Sequence, residues 1–268
     1  MSKIRYFIIF MTLGILWSNP VNAQSSKLQQ GIDHFMNGSY EKALVYFNQV
    51  IGQELASGPE QMVDACYYRG LTYIRLYNEA YSGDNEDAKN RYKDALLSAY
   101  IDFKASLGYD NGSKWKQIDL EIKNLHHALL SEGLSSLNAY NDKVYHGKPD
   151  PGLLKRAEDY LVAASEIRET YLVCDLLGQV YLDKGMKGEA TDFFSRSERL
   201  YTENLPDEPD FLMAYVFYRQ AALHKQDDIR LAMQDNQRGL KFMESEYARF
   251  SGMKGKLTPG RIQQMEEQ

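Results

Sequence analysis

The chain has 268 residues and a formal net charge of −6, and 44% of its residues are hydrophobic. This length and apolar content are sufficient for a folded core. The negative charge balance is a poor basis for nucleic-acid binding, which depends on neutralising phosphates with basic side chains. We therefore expect a folded protein that has no nucleic-acid partner.

The first 23 residues have the order of a secretory signal peptide. Lys3 and Arg5 precede a largely apolar run over residues 6–17, and Val21 and Ala23 place small side chains three residues and one residue before a cleavage site. We expect cleavage after Ala23 and a mature chain that is periplasmic or secreted. An uncleaved anchor is the alternative, but the apolar run is shorter than the roughly 20 residues of a spanning helix. We therefore expect no membrane span after cleavage.

Removal of residues 1–23 takes away two basic residues and no acidic one, so the formal net charge becomes −8. The remaining apolar residues recur at helical spacing rather than in alternation, which predicts an all-α fold. Prolines lie between these apolar stretches and punctuate them. They are Pro59, Pro149, Pro151, Pro206, Pro209 and Pro259.

An alanine is followed four and seven residues later by further side chains of one helix face at five places in the chain. Each recurrence predicts a ridge that fits against another helix, and the repetition predicts stacked helix pairs over residues 24–250. The predicted pairs cover residues 26–54, 62–108, 114–169, 171–203 and 210–249. The ridges are Ala43/Phe47/Val50, Ala99/Phe103/Ser106, Ala157/Leu161/Ala164, Ala190/Phe194/Ser197 and Ala232/Asn236/Gly239.

The fourth pair has the clearest pattern, with Gly178 and Tyr181 in its first helix and Ala190 and Phe194 in its second. This pattern resembles the tetratricopeptide repeat (TPR) family, whose helix-turn-helix units have small residues where the two helices approach closely. The first pair matches in the same way. Its matching residues are Gly31, Gly38, Tyr40, Ala43 and Phe47. The resemblance implies a right-handed superhelical solenoid of about five antiparallel helix pairs.

The second and third pairs depart from the family pattern because they are longer. In the second pair, an extended stretch and a turn at residues 82–85 precede Ala99. The third pair begins at the turn of residues 111–113, and we predict a first helix of about 30 residues there. Either Ser131 or Gly133 is its small residue, and residues 147–152 are predicted to form a loop. No pair has the tryptophan that the TPR family places near the start of the first helix.

The fifth pair can be aligned because residues 217–220 mirror residues 67–70. Its second helix has Asn236 where the other pairs have a bulky residue, and in a solenoid that residue packs on the following pair. We therefore predict that this pair ends the array. Residues 251–268 form a polar tail, in which Thr258 and Pro259 could begin a short helix or the chain could simply fray.

Few residues suggest catalysis or metal binding. Cys66 and Cys174 occupy the same helix position two pairs apart, which would separate their Cα atoms beyond disulfide range, so we predict two free, buried thiols. The adjacent His126 and His127 point about 100° apart on a helix and cannot readily share a metal ion. The sequence has no recognised nucleophile or phosphate-binding motif. We predict no catalytic residues, no metal and no cofactor.

The TPR resemblance implies that the first helices line a concave groove, apolar and aromatic at one end and polar at the other. Such a groove suits a protein or peptide partner. The family's clamp for acidic chaperone tails needs lysine and asparagine where this chain has Leu28 and Ile32, so we expect no binding of such tails. A glycan or small-ligand receptor is the alternative, and an enzyme is a remote one. The implied groove residues are Leu28, Ile32, Phe35, Tyr67, Leu71, Arg75, Asp175, Gln179, Asp183, Phe217, His224 and Lys225.

Overall fold

A computed structural model describes residues 19–53, 58–207, 210–225, 228–253 and 258. This part of the chain contains α-helices, one short 3₁₀ turn at Phe211–Met213 and no β-strand, which confirms the all-α prediction for it. The helices are α1 (Asn19–Met36), α2 (Tyr40–Ile51), α3 (Pro59–Ser82), α4 (Glu86–Tyr92), α5 (Ala95–Tyr109), α6 (Trp115–Tyr145), α7 (Pro151–Ile167), α8 (Tyr171–Asp183), α9 (Lys187–Glu203), α10 (Ala214–His224) and α11 (Ile229–Met253).

The predicted signal peptide lies mostly outside the described residues. Helix α1 begins at Asn19 and continues through the predicted cleavage point after Ala23. The polar tail also lies outside, apart from residues 251–253, which belong to α11, and Thr258. Cleavage after Ala23 and the short terminal helix therefore remain predictions.

The chain forms two compact units, Met1–Leu129 and Leu130–Gln268. In unit 1, α1 packs on α2, α2 on α3, and α3 on α5. In unit 2, α7 packs on α8, α8 on α9, α9 on α10, and α10 on α11. Helices therefore pack mainly on their neighbours in the chain, and each unit buries its own core.

A glycine set against a bulky side chain joins the two helices of each pair in unit 1. A Cβ atom added to Gly31 would lie 2.6 Å from Cε1 of Phe47, and one added to Gly70 would lie 2.7 Å from Cε1 of Phe103. Both aromatic rings are fully buried. Only glycine permits this approach, because a real Cβ would have to displace an enclosed ring. We call this contact the glycine interlock.

The glycine interlock recurs in unit 2. A Cβ at Gly178 would lie 2.5 Å from Cδ1 and Cε1 of Phe194, and one at Gly133 would lie 2.7 Å from Cγ of Leu161. The second contact resolves the third pair, since Gly133 rather than Ser131 meets the bulky residue of the next helix. Helix α6, at 31 residues, has about the predicted length.

The fifth pair has the interlock reversed. Gly239 is in the second helix, α11, and a Cβ there would lie 3.2 Å from Cβ of Phe217 in α10. This approach is looser than in the other four pairs. Asn236, the polar member of the fifth ridge, is exposed.

Two of the predicted ridges end in a serine that binds the first helix of its pair. The hydroxyl of Ser106 donates to the carbonyl of Val63 at 2.8 Å, and that of Ser197 donates to the carbonyl of Tyr171 at 2.7 Å. Each acceptor lies seven residues before the interlocking glycine, Gly70 or Gly178. The second and fourth pairs therefore share this hydrogen bond at the same distance from the glycine, despite their different lengths.

The connections differ from the prediction at two places. The stretch before Ala99 contains a short helix, α4. Asn85 caps its first turn, because the Asn85 side chain accepts a hydrogen bond from the amide of Ala88. A second difference is that α7 begins at Pro151 rather than after residue 152, because proline is well suited to the first turn and Asp150 caps it. Glycines in the left-handed region close the tight turns. They are Gly38, Gly112, Gly147 and Gly185.

A buried polar network holds the segment between α9 and α10 against α11. The carboxylate of Glu246 accepts from the hydroxyl of Tyr201 at 2.8 Å, from the amide of Asp210 at 3.0 Å and from Arg249 at 2.7 Å. Arg249 also donates to the carbonyl of Pro206. The hydroxyl of Tyr171 donates to the Asp210 carboxylate at 2.7 Å. The network lies within unit 2.

Stability of unit 2 should fall as the pH rises above about 9, because the buried Cys174 and Tyr201 and the partly buried Tyr171 hold their protons in the folded state. Burial raises the pKa of Cys174 from 9.0 to about 12. Burial, together with hydrogen bonds to Asp210 and Glu246, raises the pKa of Tyr171 and of Tyr201 above 10.0. In the unfolded chain these groups lose their protons near their ordinary pKa values, so alkaline pH favours unfolding.

Urea unfolding between about pH 8 and about pH 11 measures this dependence. A Tyr201→Phe variant should start from a lower free energy of unfolding, since it lacks the bond to Glu246, but should fall less steeply above about pH 10. A midpoint that stays constant across this range in the unsubstituted protein would contradict the expectation.

Candidate partner-binding surfaces

Three of the implied groove residues are buried and do not form an open surface. Leu28 lies in the core cluster shared by α1, α2 and α3. Tyr67 is buried on α3, and its hydroxyl accepts from Nε2 of Gln117 at 2.7 Å. Phe217 is buried on α10 against Phe242 of α11. Because these side chains pack between helices, we exclude them from the candidate surface.

Three further implied residues are partly buried and already in contact with their own unit. Ile32 and Phe35 pack against the core cluster of the first pair, and the Phe35 ring lies 5.7 Å from that of Tyr68. Nδ1 of His224 lies 2.7 Å from the buried carboxylate of Asp235 on α11. These contacts stabilise helix packing and leave little of each side chain for a partner.

In unit 1, two implied residues remain accessible. Arg75 is exposed on α3, and Leu71, one turn earlier, is half-buried. They lie on the same helix as Arg69, whose guanidinium forms two hydrogen bonds, at 2.8 and 2.6 Å, with the buried carboxylate of Asp102 on α5. The ion pair fixes the position of α3 against α5, and Leu71 and Arg75 are therefore presented from an anchored helix.

In unit 2, the implied residues of α8 form a charged group together with α10. Arg219 of α10 donates to the carboxylate of Asp175 at 2.5 Å. Partial burial raises the pKa of the Asp183 carboxyl, and the charge of Arg219 opposes that rise. Gln179 is half-buried one turn from each of these two acids. Asp175 is thus paired with the guanidinium, whereas Asp183 is exposed and leaves a negative charge suited to a basic group.

Arg69 and Arg219 occupy equivalent places in the mirrored segments 67–70 and 217–220, and each pairs with an aspartate. The partners differ, since Asp102 belongs to the second helix of the same pair and Asp175 to the first helix of the preceding pair. The ion pairs are not visible in the mirrored segments themselves, because the partners lie 33 and 44 residues away.

Lys225 is the last of the implied residues, and it borders a shallow cleft between α10 and α11. The cleft has a volume of about 330 Å³. It opens beside Ile229, Met233 and Asn236, which belong to a longer row of exposed side chains on α11. The other lining residues are Tyr218, Ala221, Ala222 and Ala232.

A row of exposed side chains runs along one face of α11, and its members are spaced alternately by four and three residues. Its apolar members are 38–69% exposed. We call this row the outer stripe. It consists of Ile229, Met233, Asn236, Leu240, Met243 and Tyr247. The alternating spacing is visible in the sequence, but a stripe of this kind can face either the core or solvent. In the structure Ala232, Asp235 and Gly239 are buried instead, so the stripe faces outward.

Of the two cysteines and the two adjacent histidines, three are buried. Cys66 and Cys174 do not form a disulfide, and both are buried. His126 is buried, and His127 is exposed with its ring 5.3 Å from that of His126. Within the described ranges, no group of three or more histidine, cysteine, aspartate or glutamate side chains is arranged to hold a metal ion.

No protein-family model, curated protein or solved structure matches this chain. None of the helices in the described part of the chain is both long enough and apolar enough to cross a membrane.

Proposed function

We propose that this chain is an exported, TPR-type scaffold that holds a protein or peptide partner through side chains of its first helices. The glycine interlock is the observation that supports the proposal most. It recurs in four successive pairs with the glycine in the first helix, at the positions where the TPR resemblance places close helix approach. Helix pairs of this kind stack into extended binding surfaces.

Each unit has its own surface for a partner, and each surface has fewer accessible residues than the resemblance alone implies. The surface of unit 1 includes Leu71 and Arg75, and that of unit 2 includes Gln179 and Asp183. Because Arg219 is already paired with Asp175, the Asp183 carboxylate is the group with charge to offer. We propose that the exposed carboxylate of Asp183 binds a basic side chain of the partner.

Export rests on the order of residues 1–23, and the proposed compartment is the periplasm or the exterior. An exported scaffold without its own catalytic group would act by holding other proteins together. The partner is therefore expected to be an exported or envelope protein with an exposed basic segment.

Site-specific photo-crosslinking in living cells tests this function. A photoreactive residue at position 71 or 179 should yield an adduct with a partner, since both positions lie on the proposed surface. The matched control positions are 101 and 195, which are exposed on the second helices α5 and α9. Adducts at the control positions alone would contradict the proposed surface.

Asp183→Lys should lower the affinity of the partner by about tenfold or more, because it replaces attraction with repulsion. Asp192→Lys on α9 is the control, because the Asp192 side chain is 69% exposed, and this variant should leave affinity unchanged. Titration of the crosslinked partner against each variant gives the comparison. Equal loss in both variants would indicate a general charge effect rather than a specific contact.

A further inference from the structure

We propose that the outer stripe of α11 is a self-association surface, on which a second copy of the chain docks with its own α11 antiparallel. The stripe is separate from the proposed partner surface, and the inference does not depend on the proposed function. The apolar side chains that carry it are largely exposed. Ile229, Met233, Leu240 and Tyr247 are 69%, 59%, 57% and 65% exposed.

The same face of an equivalent helix in this chain is covered by another helix. Ala232 aligns with Ala43 through the ridge pattern, so Asn236 aligns with Phe47. Phe47 is fully buried, and its ring stacks 6.2 Å from that of Tyr68 on α3. Phe47 lies between Gly31 of α1 and Tyr68 of α3, so helix α11 leaves open a face that α2 buries against other helices.

The spacing of the stripe is that of a helix packed along another helix. Steps of four and three residues average 3.5, which keeps one face turned toward a partner helix. From Ile229 to Tyr247 the stripe extends about 27 Å at the rise of an α-helix. A partner helix of this length would cover all six positions.

The stripe is also self-complementary when two copies run antiparallel. Ile229 and Tyr247 have residue 238 as their midpoint, and so do Met233 and Met243. The third pair, Asn236 and Leu240, has the same midpoint. In a twofold-symmetric dimer each residue would meet its counterpart on the other copy, which is the property of an isologous interface.

Charges beside the stripe favour the antiparallel arrangement. Arg230 and Glu244 are exposed on the same flank, each one residue after a stripe position, and Gln237 lies between them. Equivalent flank positions face each other in an antiparallel helix pair, so Arg230 of one copy would meet Glu244 of the other, twice per dimer. Gln237 would meet its own counterpart. Flanking charges of this kind set the orientation of paired helices.

The chain's own C-terminal segment is a poorer occupant. Residues 254–268 contain three apolar side chains beyond glycine and proline, at Leu257, Ile262 and Met265, against the five of the stripe. Pro259 and Gly260 interrupt the segment, and both disfavour a continuous helix. A second copy matches the stripe in both length and charge.

Sedimentation velocity tests the dimer, using protein purified after expression of the full-length chain. We expect a reversible monomer–dimer equilibrium that shifts with concentration over roughly a hundredfold range. Leu240→Glu should abolish the dimer while leaving the circular dichroism spectrum unchanged, since the side chain is exposed. Ile101→Glu, at a 58% exposed position of α5, is the control and should dimerise normally. A monomer at every concentration would overturn the proposal.

A charge exchange tests the orientation. Arg230→Glu and Glu244→Arg should each raise the dissociation constant by about tenfold, since each places like charges together. The double variant should restore the original value, because it exchanges the two members of the same contact. Failure of the double variant to recover would overturn the antiparallel arrangement.

Truncation after Met253 tests whether residues 254–268, rather than a second copy, cover the outer stripe. If a second copy covers the stripe, the truncated chain should dimerise as the full-length chain does. Dimerisation that appears only after truncation would show that residues 254–268 cover the stripe, and would overturn the proposal.

Discussion

Gly178→Ala should lower the free energy of unfolding of unit 2 by about 3 kcal/mol, at the upper end of the range for overpacked cores. The added Cβ would lie 2.5 Å from two atoms of the Phe194 ring. That ring is fully buried, so it cannot move away without displacing its neighbours. Urea unfolding, followed by circular dichroism, measures the change.

Gly188→Ala is the matched control, because Gly188 is also helical and no atom lies within 4 Å of an added Cβ. It should be neutral, or stabilising by up to about 1 kcal/mol, through the higher helix propensity of alanine. Phe194→Leu in the Gly178→Ala background should recover part of the loss, since leucine faces Gly133 in the third pair. Equal stability of the Gly178→Ala and Gly188→Ala variants would show that the interlock is not restrictive.

Glu246→Ala should destabilise unit 2 by about 3 kcal/mol, because it leaves a buried hydroxyl and a partly buried guanidinium without their acceptor. The side chain of Glu246 is 3% exposed, and its removal would strand Arg249, the Tyr201 hydroxyl and the amide of Asp210. Glu246→Gln should cost less, since the amide still offers one acceptor to the network. Chemical denaturation at neutral pH should give the unsubstituted protein the highest free energy of unfolding, Glu246→Gln an intermediate one and Glu246→Ala the lowest.

Ser245→Ala, at the neighbouring exposed position of α11, is the control and should change stability by no more than about 0.5 kcal/mol. The segment between α9 and α10 is tied to α11 through Glu246 and Arg249, so its susceptibility to proteolysis should rise in Glu246→Ala and not in the control. A Glu246→Ala protein as stable and as protease-resistant as the control would refute a structural role for the network.

The helix pairs could be predicted from the sequence because each is encoded locally. Ala190, Phe194 and Ser197 occupy one face of one helix, and the structure places all three in the core of unit 2 or at its edge against α8. The position of the small residue in the third pair could not be fixed, because Ser131 and Gly133 are both small and two residues apart. Only the contact with Leu161 distinguishes them.

The groove residues were harder to predict, since the TPR resemblance assigns positions along a helix but not what covers them. Tyr67 is such a case. It occupies a groove position on α3, but Gln117 of the long helix α6 binds its hydroxyl. The elongation of a helix about 50 residues downstream therefore changes which side chains remain open. Contacts of this range depend on the packed structure, which local patterns do not encode.

The reversal of the interlock in the fifth pair bears on how such chains diverge. Gly239 supplies the small residue from the second helix and Phe217 the large one from the first, whereas the other four pairs have the opposite assignment. The distance between two packed helices depends on the combined size of the two side chains at their contact, and not on which helix carries the larger one. Gly239 and Phe217 align with Ser106 and Tyr67 of the second pair, so the close approach of the fifth pair has also moved by about one helical turn. A small residue on one helix set against a large one on the other can therefore bring two helices together at different positions along their length.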